Sequence, residues 1–226
     1  MSTSGYYRTG CHRMAPFYDH LVALALLPAG GEMRLRRAVL AAASVEPGQR
    51  VLDLCCGTGT LAGLLAEEVG AAGEVVGVDF SEAMLAAARR KVRASNAAFL
   101  HANAEELPLP SDRFHRVTIT LALHELTARG RRNVLAEAYR VLQPGGRLII
   151  ADLHYPPGRL KRALFRLYML LETENAWEMV REDLPAVLKA LGFGPVQQDV
   201  GFGGFLQILT ATKPLPAATP APPGQE

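Results

Sequence analysis

The chain has 226 residues, with 24 Lys and Arg against 22 Asp and Glu, a formal net charge of +2. That length fits one large domain or one domain with a cap, and 49% hydrophobic residues is too apolar for a disordered chain. Near neutrality excludes a broadly basic nucleic-acid-binding surface. The three cysteines, Cys11, Cys55 and Cys56, form neither a disulfide framework nor a zinc-spaced Cys/His array. With no apolar signal-peptide core over 1–11 and no apolar run long enough to span a bilayer, a cytoplasmic, reducing setting is expected.

In chain order, residues 1–45 read as helical and are expected to form a lid. Residues 46–155 alternate short apolar runs with helical patterns. Strands are predicted at 50–55 (RVLDLC), 74–79 (EVVGVD), 97–101, 113–122 and 147–152 (RLIIAD), with helices over 61–69, after a Ser81 cap, and over 131–142 before Pro144-Gly145-Gly146. Such alternation implies βαβ units and a parallel sheet with helices on both faces. Two further runs, 196–202 and 205–212, flank Gly203-Gly204, so the sheet should end in an antiparallel hairpin strand. Residues 213–226 hold five prolines and read as a disordered tail.

The chemistry-bearing residues fall after predicted strands, where open α/β sheets bind ligands. Gly57 and Gly59 follow the first strand in VLDLCCGTG, and the helix beyond would offer free N–H groups. Gly63 falls one place late for G-x-G-x-x-G, which disfavours a nicotinamide cofactor. Asp79, about 20 residues on, suits ribose hydroxyls, and Phe80 beside it suits an adenine face. Asn103 follows the third strand, His124 and Glu125 the fourth, and His154 and Tyr155 the fifth. A histidine there suits a base or an acceptor-orienting group; the bland alternative is a helix-start residue at the rim.

Taken together, VLDLCCGTG, VVGVDFSEAML, NAEELPLPSDRF and RVLQPGGRLIIAD, in that order, resemble the class I S-adenosylmethionine-dependent methyltransferases, and within them the ubiquinone/menaquinone-biosynthesis and phospholipid methyltransferase group. The resemblance implies a Rossmann-like α/β fold: a seven-stranded, mostly parallel sheet with an antiparallel last strand. It also implies S-adenosylmethionine as cofactor. Carried over by position, Asp53, Gly57 and Gly59 would hold the methionine end, with Cys55 beside it. Asp79 would bind the ribose, Phe80 would flank the adenine, Asn103 and Ala104 would meet the adenine edge, and Leu121 would line the pocket through its backbone. Thr58 and Met84 complete the cofactor-binding set, and no metal ligand is implied. Two positions depart from the family pattern: Cys55 stands where glycine is usual, and Asn103 where aspartate is more frequent.

The acceptor side is expected from the N-terminal zone, where Arg13, Phe17, Tyr18 and His20 would form a lid, and from residues 153–190. Tyr18-Asp19 resembles the start of the quinone and phospholipid enzymes; Tyr18, and His124 from its place after strand four, are the catalytic candidates. The quinone enzymes' longer signature after Tyr-Asp is missing, and Asp152-Leu-His-Tyr replaces their ending after strand five. A small or lipid-like hydrophobic acceptor is expected. An S-adenosylmethionine-binding sensor, a nicotinamide-dependent oxidoreductase and a nucleic-acid methyltransferase are the rivals. The last would want an Asn/Asp-Pro-Pro-aromatic motif where Leu-His-Glu-Leu stands. Leu160, Leu164, Leu167 and Leu171 recur at helical spacing, with Arg159, Arg162 and Arg166 on another face. This stripe either packs on the sheet or meets an anionic membrane. Glu172, Glu174, Asn175 and Trp177 would line an acceptor pocket.

Overall fold

The computed structural model describes residues 30–216 except 171, together with Asp19, Val22, Leu24 and Leu26. The elements run α1 (Glu32–Ala43), β1 (Arg50–Leu54), α2 (Thr60–Val69), β2 (Glu74–Asp79), α3 (Glu82–Lys91), β3 (Ala97–His101), β4 (Phe114–Thr120), α4 (Ala128–Val141), β5 (Leu142–Leu153), α5 (Arg159–Tyr168), α6 (Glu174–Met179), α7 (Leu184–Ala190), β6 (Val196–Gly201) and β7 (Leu206–Thr212). A short 3-10 turn, Leu123–Glu125, joins β4 to α4.

The seven strands form one sheet in the order β3-β2-β1-β4-β5-β7-β6. The pairs among β1 to β5 are parallel, and β7 runs antiparallel to both β5 and β6. The expected architecture is therefore present. The chain reverses direction across the sheet between β1 and β4, the switch point at which such sheets bind ligands. Val51, Leu52, Val75, Val117, Ile119, Leu148, Ile149 and Ile150 are buried, as sheet residues covered on both faces should be.

Local chemistry sets the boundaries. Ser81 caps α3, its Oγ accepting from Met84 N at 3.4 Å. The fourth helix starts three residues before the predicted 131 because Thr127 caps it, Oγ1 accepting from Gly130 N at 3.1 Å. Strand β4 stops at Thr120, short of 122, because Leu121 takes φ 53°, a left-handed conformation that ends a strand. Sequence reasoning did not single out Arg131, yet it is fully buried. Its guanidinium donates to Leu126 O (2.6 Å), Glu182 Oε2 (2.8 Å) and Glu178 Oε2 (3.2 Å), tying α4 to the 174–182 region.

The leucine stripe of α5 does not pack on the sheet. Leu160, Leu164 and Leu167 are exposed, and Phe165 is the buried side chain that anchors the helix. Leu171 lies outside the described residues, as do 217–226 of the predicted tail. Among the described residues, no helix is long and apolar enough to cross a membrane.

Candidate active site

The first four strands of the switch region end in one cluster of loops. Beyond β1, Cys55 takes φ 56°, Gly57 φ 54° and Gly59 φ 77°. The turn thus needs left-handed backbone at 55, where this chain has a residue with a side chain. Gly59 has a packing reason as well: an added Cβ would lie 2.9 Å from Ala88 Cβ and 3.1 Å from the Phe99 ring. Cys55 and Cys56 are partly buried, and burial together with nearby Asp53 and Asp79 raises both thiols above their ordinary range. A raised thiol pKa disfavours the nucleophilic thiolate.

Asp79, at the end of β2, is tied to that turn. Its Oδ2 accepts from Gly57 N at 2.9 Å and its Oδ1 from Ser81 N at 2.8 Å, so one carboxylate fixes both the glycine turn and the start of α3. Phe80 is exposed beside it, its carbonyl 2.7 Å from His101 Nε2. Met84 and Ala104 are buried nearby in sequence, on α3 and after β3. Asn103 Oδ1 accepts from Glu105 N at 3.0 Å, closing the turn after β3.

Asp53 and Thr118 are cross-strand partners on β1 and β4, and Thr118 Oγ1 donates to Asp53 Oδ1 at 2.7 Å. Burial pushes the Asp53 carboxyl up to about 6, although Thr118 and Arg36 act the other way. Two positions further along β4, buried Thr120 Oγ1 has no hydrogen-bond partner among the described residues. Thr58 Oγ1 donates to Asp19 Oδ1 at 2.5 Å, and Lys91 Nζ reaches Asp19 (2.5 Å), Thr58 (2.9 Å) and Thr60 (2.9 Å). Asp19 thereby joins the N-terminal zone to the glycine turn. Its neighbours Tyr18 and His20, and Arg13 and Phe17, lie outside the described residues.

A second group lies at the ends of β4 and β5. His124 is buried in the 3-10 turn rather than standing at the rim, with Nδ1 2.6 Å from Asp152 Oδ1. Asp152 Oδ2 also accepts from Ala122 N (3.2 Å) and Leu123 N (2.8 Å), holding the turn on β5. Burial alone would lower the imidazole, but the Asp152 carboxylate, then Glu125 and Glu172, raise it to about 9. The Asp152 carboxylate thus favours the charged ring, and Nδ1 donates to it.

Glu172 Oε1 accepts from the Tyr168 hydroxyl at 2.8 Å. Nitrogen and carboxylate atoms of His124, Glu125 and Glu172 all lie within 4.8 Å of one another. These are metal-ligating residue types, adjacent His124 and Glu125 joined by the distant Glu172, a set that a search for local ligand spacing cannot find. Glu174, Asn175 and Trp177 line a groove with Arg131 and Arg132, and Asn175 Nδ2 donates to Glu125 O at 3.1 Å. His154 Nδ1 lies 2.9 Å from Gly204 O, and the ring of Tyr155 packs on Phe165.

Comparison with known proteins agrees with this fold. A family model described as a methyltransferase domain matches residues 51–146. An uncharacterized methyltransferase of Synechocystis sp. is 35% identical over 206 residues, covering 91% of this chain and 95% of that protein. A demethylmenaquinone methyltransferase of Listeria welshimeri is 37% identical over 164 residues, 70% of this chain and 68% of that protein. A SAM-dependent methyltransferase of Aquifex aeolicus shares the fold, with a TM-score of 0.62 at 24% identity over 79% of this chain and 89% of that one. The chain belongs to the methyltransferase domain family and has the fold of the class I S-adenosylmethionine-dependent methyltransferases.

Proposed function

We propose that the protein transfers a methyl group from S-adenosylmethionine to a small or lipid-like hydrophobic acceptor. The observation that carries this reading is Asp79, whose carboxylate is bonded to Gly57 and Ser81 at the carboxyl end of β2. A carboxylate has about four acceptor sites, so a group that closes the turn can also receive ribose hydroxyls. In this reading Phe80 covers one adenine face, and Asn103 and Ala104 meet the base edge. Asp53, Cys55, Gly57, Thr58 and Gly59 surround the methionine end, Met84 and the Leu121 backbone complete the wall, and the orphaned Thr120 hydroxyl finds its partner in the ligand. Asp19, bonded to Thr58, holds its own carboxylate against the glycine turn.

When bound, the cofactor supplies an electrophilic sulfonium methyl group. The protein's part is alignment and exclusion of water. His124, charged and fixed by Asp152, orients the acceptor by donating from Nε2 and is poorly suited to removing its proton. The similarity to a demethylmenaquinone methyltransferase supports a hydrophobic acceptor, while Asp152-Leu-His-Tyr after β5 leaves its headgroup open.

Calorimetric titration with S-adenosylhomocysteine and, separately, with NADH tests the cofactor. Binding of the first alone is expected; binding of NADH alone would overturn the reading. A screen of acceptor classes with methyl-labelled cofactor tests the acceptor, and label appearing only in nucleic acid would exclude the proposed class.

A further inference from the structure

Five of the ten exposed large apolar side chains among the described residues fall between 160 and 170. Leu160, Leu164, Leu167 and Leu170 are 75%, 54%, 64% and 76% exposed, whereas Phe165 is 1% exposed. At about 100° per residue, the first three occupy a band roughly 60° wide, nearly opposite Phe165 and Met169. The helix is thus amphipathic twice over. One apolar face grips Tyr155, Trp177 and Phe205 through Phe165. The other faces outward.

The charges on α5 complete the pattern. Its sequence, RLKRALFRLY, carries four cations and no acid. By the same helical repeat, Arg159 and Arg166 flank the leucine band on one side and Lys161 on the other. Arg162 is drawn inward, its guanidinium 5.3 Å from the Tyr155 ring and its Nε 3.2 Å from Pro156 O. Leucines between flanking cations are the arrangement of a helix lying in a bilayer interface, with apolar side chains among acyl chains and cations at the headgroups. A second copy of the chain fits less well, because a two-fold contact would set the unbalanced cations of two α5 helices against each other.

We propose that α5 docks the protein on an anionic lipid bilayer, with Leu160, Leu164 and Leu167 inserted and Arg159, Lys161 and Arg166 at the headgroups. The docking stands independently of the acceptor reading. It does place a lipid surface against the helix whose Tyr168 bonds Glu172, next to His124.

The test is flotation of the full chain with vesicles of equimolar phosphatidylglycerol and phosphatidylcholine, and with phosphatidylcholine vesicles, at low and high salt. The chain should float with the anionic vesicles at low salt, and binding should fall at least tenfold on neutral vesicles or at high salt. Replacing Leu160 and Leu164 together with Asp should lower partitioning at least about tenfold. Replacing Arg159 and Arg166 with Gln should lower it roughly fivefold per cation. Unchanged circular dichroism and S-adenosylhomocysteine affinity would show the variants folded and separate failure of docking from failure of the cofactor reading. Absence of flotation, equal binding to both vesicle types, or a light-scattering dimer abolished by the Leu pair replacement would each overturn the proposal.

Discussion

Nδ1 of His124 lies 2.6 Å from Oδ1 of Asp152, with both side chains buried and the second Asp152 oxygen bonded to the backbone of the turn that carries His124. The pair therefore couples the position of a candidate active-site group to its charge. An imidazole raised from about 6.5 in the unfolded chain to about 9 in the fold binds its proton more tightly when folded. Its stabilisation is complete below pH 6.5 and is lost as pH rises through 9. His124→Gln should cost up to about 3 kcal/mol at pH 6 and progressively less toward pH 10. Thermal midpoints of both proteins across that range would show the difference shrinking; a constant difference would mean that His124 is neutral in the fold.

Asp79→Ala removes the acceptor for two backbone donors and for the proposed ribose contact. Affinity for S-adenosylhomocysteine should fall at least tenfold, with a stability loss of about 1–3 kcal/mol. Calorimetry and chemical denaturation separate the two effects, and an unchanged affinity would place the cofactor elsewhere.

Cys55 adopts φ 56° at a cost of roughly 1–2 kcal/mol, part of which glycine would recover. Cys55→Gly should be more stable than Cys55→Ala, which keeps the strain, by about 1 kcal/mol. Matched thermal unfolding decides, and equal midpoints would show that the turn holds no strain at this residue.

Gly59→Ala is expected to lose about 2–3 kcal/mol, because its Cβ would meet Ala88 at 2.9 Å in a left-handed backbone. Urea unfolding measures this directly. A loss below about 0.5 kcal/mol would show that α2 and α3 move apart freely.

Asp19 and Lys91 are each 37% exposed, so their ion pair adds little to stability. If the N-terminal zone closes over the glycine turn, Asp19→Asn should still weaken S-adenosylhomocysteine binding about three- to tenfold. The wild-type advantage should diminish in high salt. Equal affinities at low salt would remove Asp19 from the closure.

Much of this was readable in the chain itself. Strand–helix alternation and the Gly203-Gly204 break announced the parallel sheet and its antiparallel β7, because buried strands are continuous apolar runs and turns need glycine. Gly57, Gly59 and Asp79 were legible because a turn and a strand end lie at a recognisable separation. What escaped depends on contacts between distant segments: Asp152 beneath His124, 28 residues away, Asp19 against Thr58, 39 residues away, and buried Arg131 against Glu182, 51 residues away. The α5 stripe shows the other limit. Its period announces a helix with an apolar face, but Phe165, off that stripe, made the inward contact and left the leucines outside.

The antiparallel course of β7 has a practical consequence. Thr212 pairs with Arg147 of β5, and Lys213 Nζ is held by Leu142 O at the start of that strand (2.7 Å) and by Tyr139 O (2.9 Å). The chain therefore leaves the sheet at the end where β5 begins, opposite the end that carries His124 and α5. A sensor chip or bead that grips the protein beyond Lys213 would hold it with its ligand mouth turned to the bulk solution.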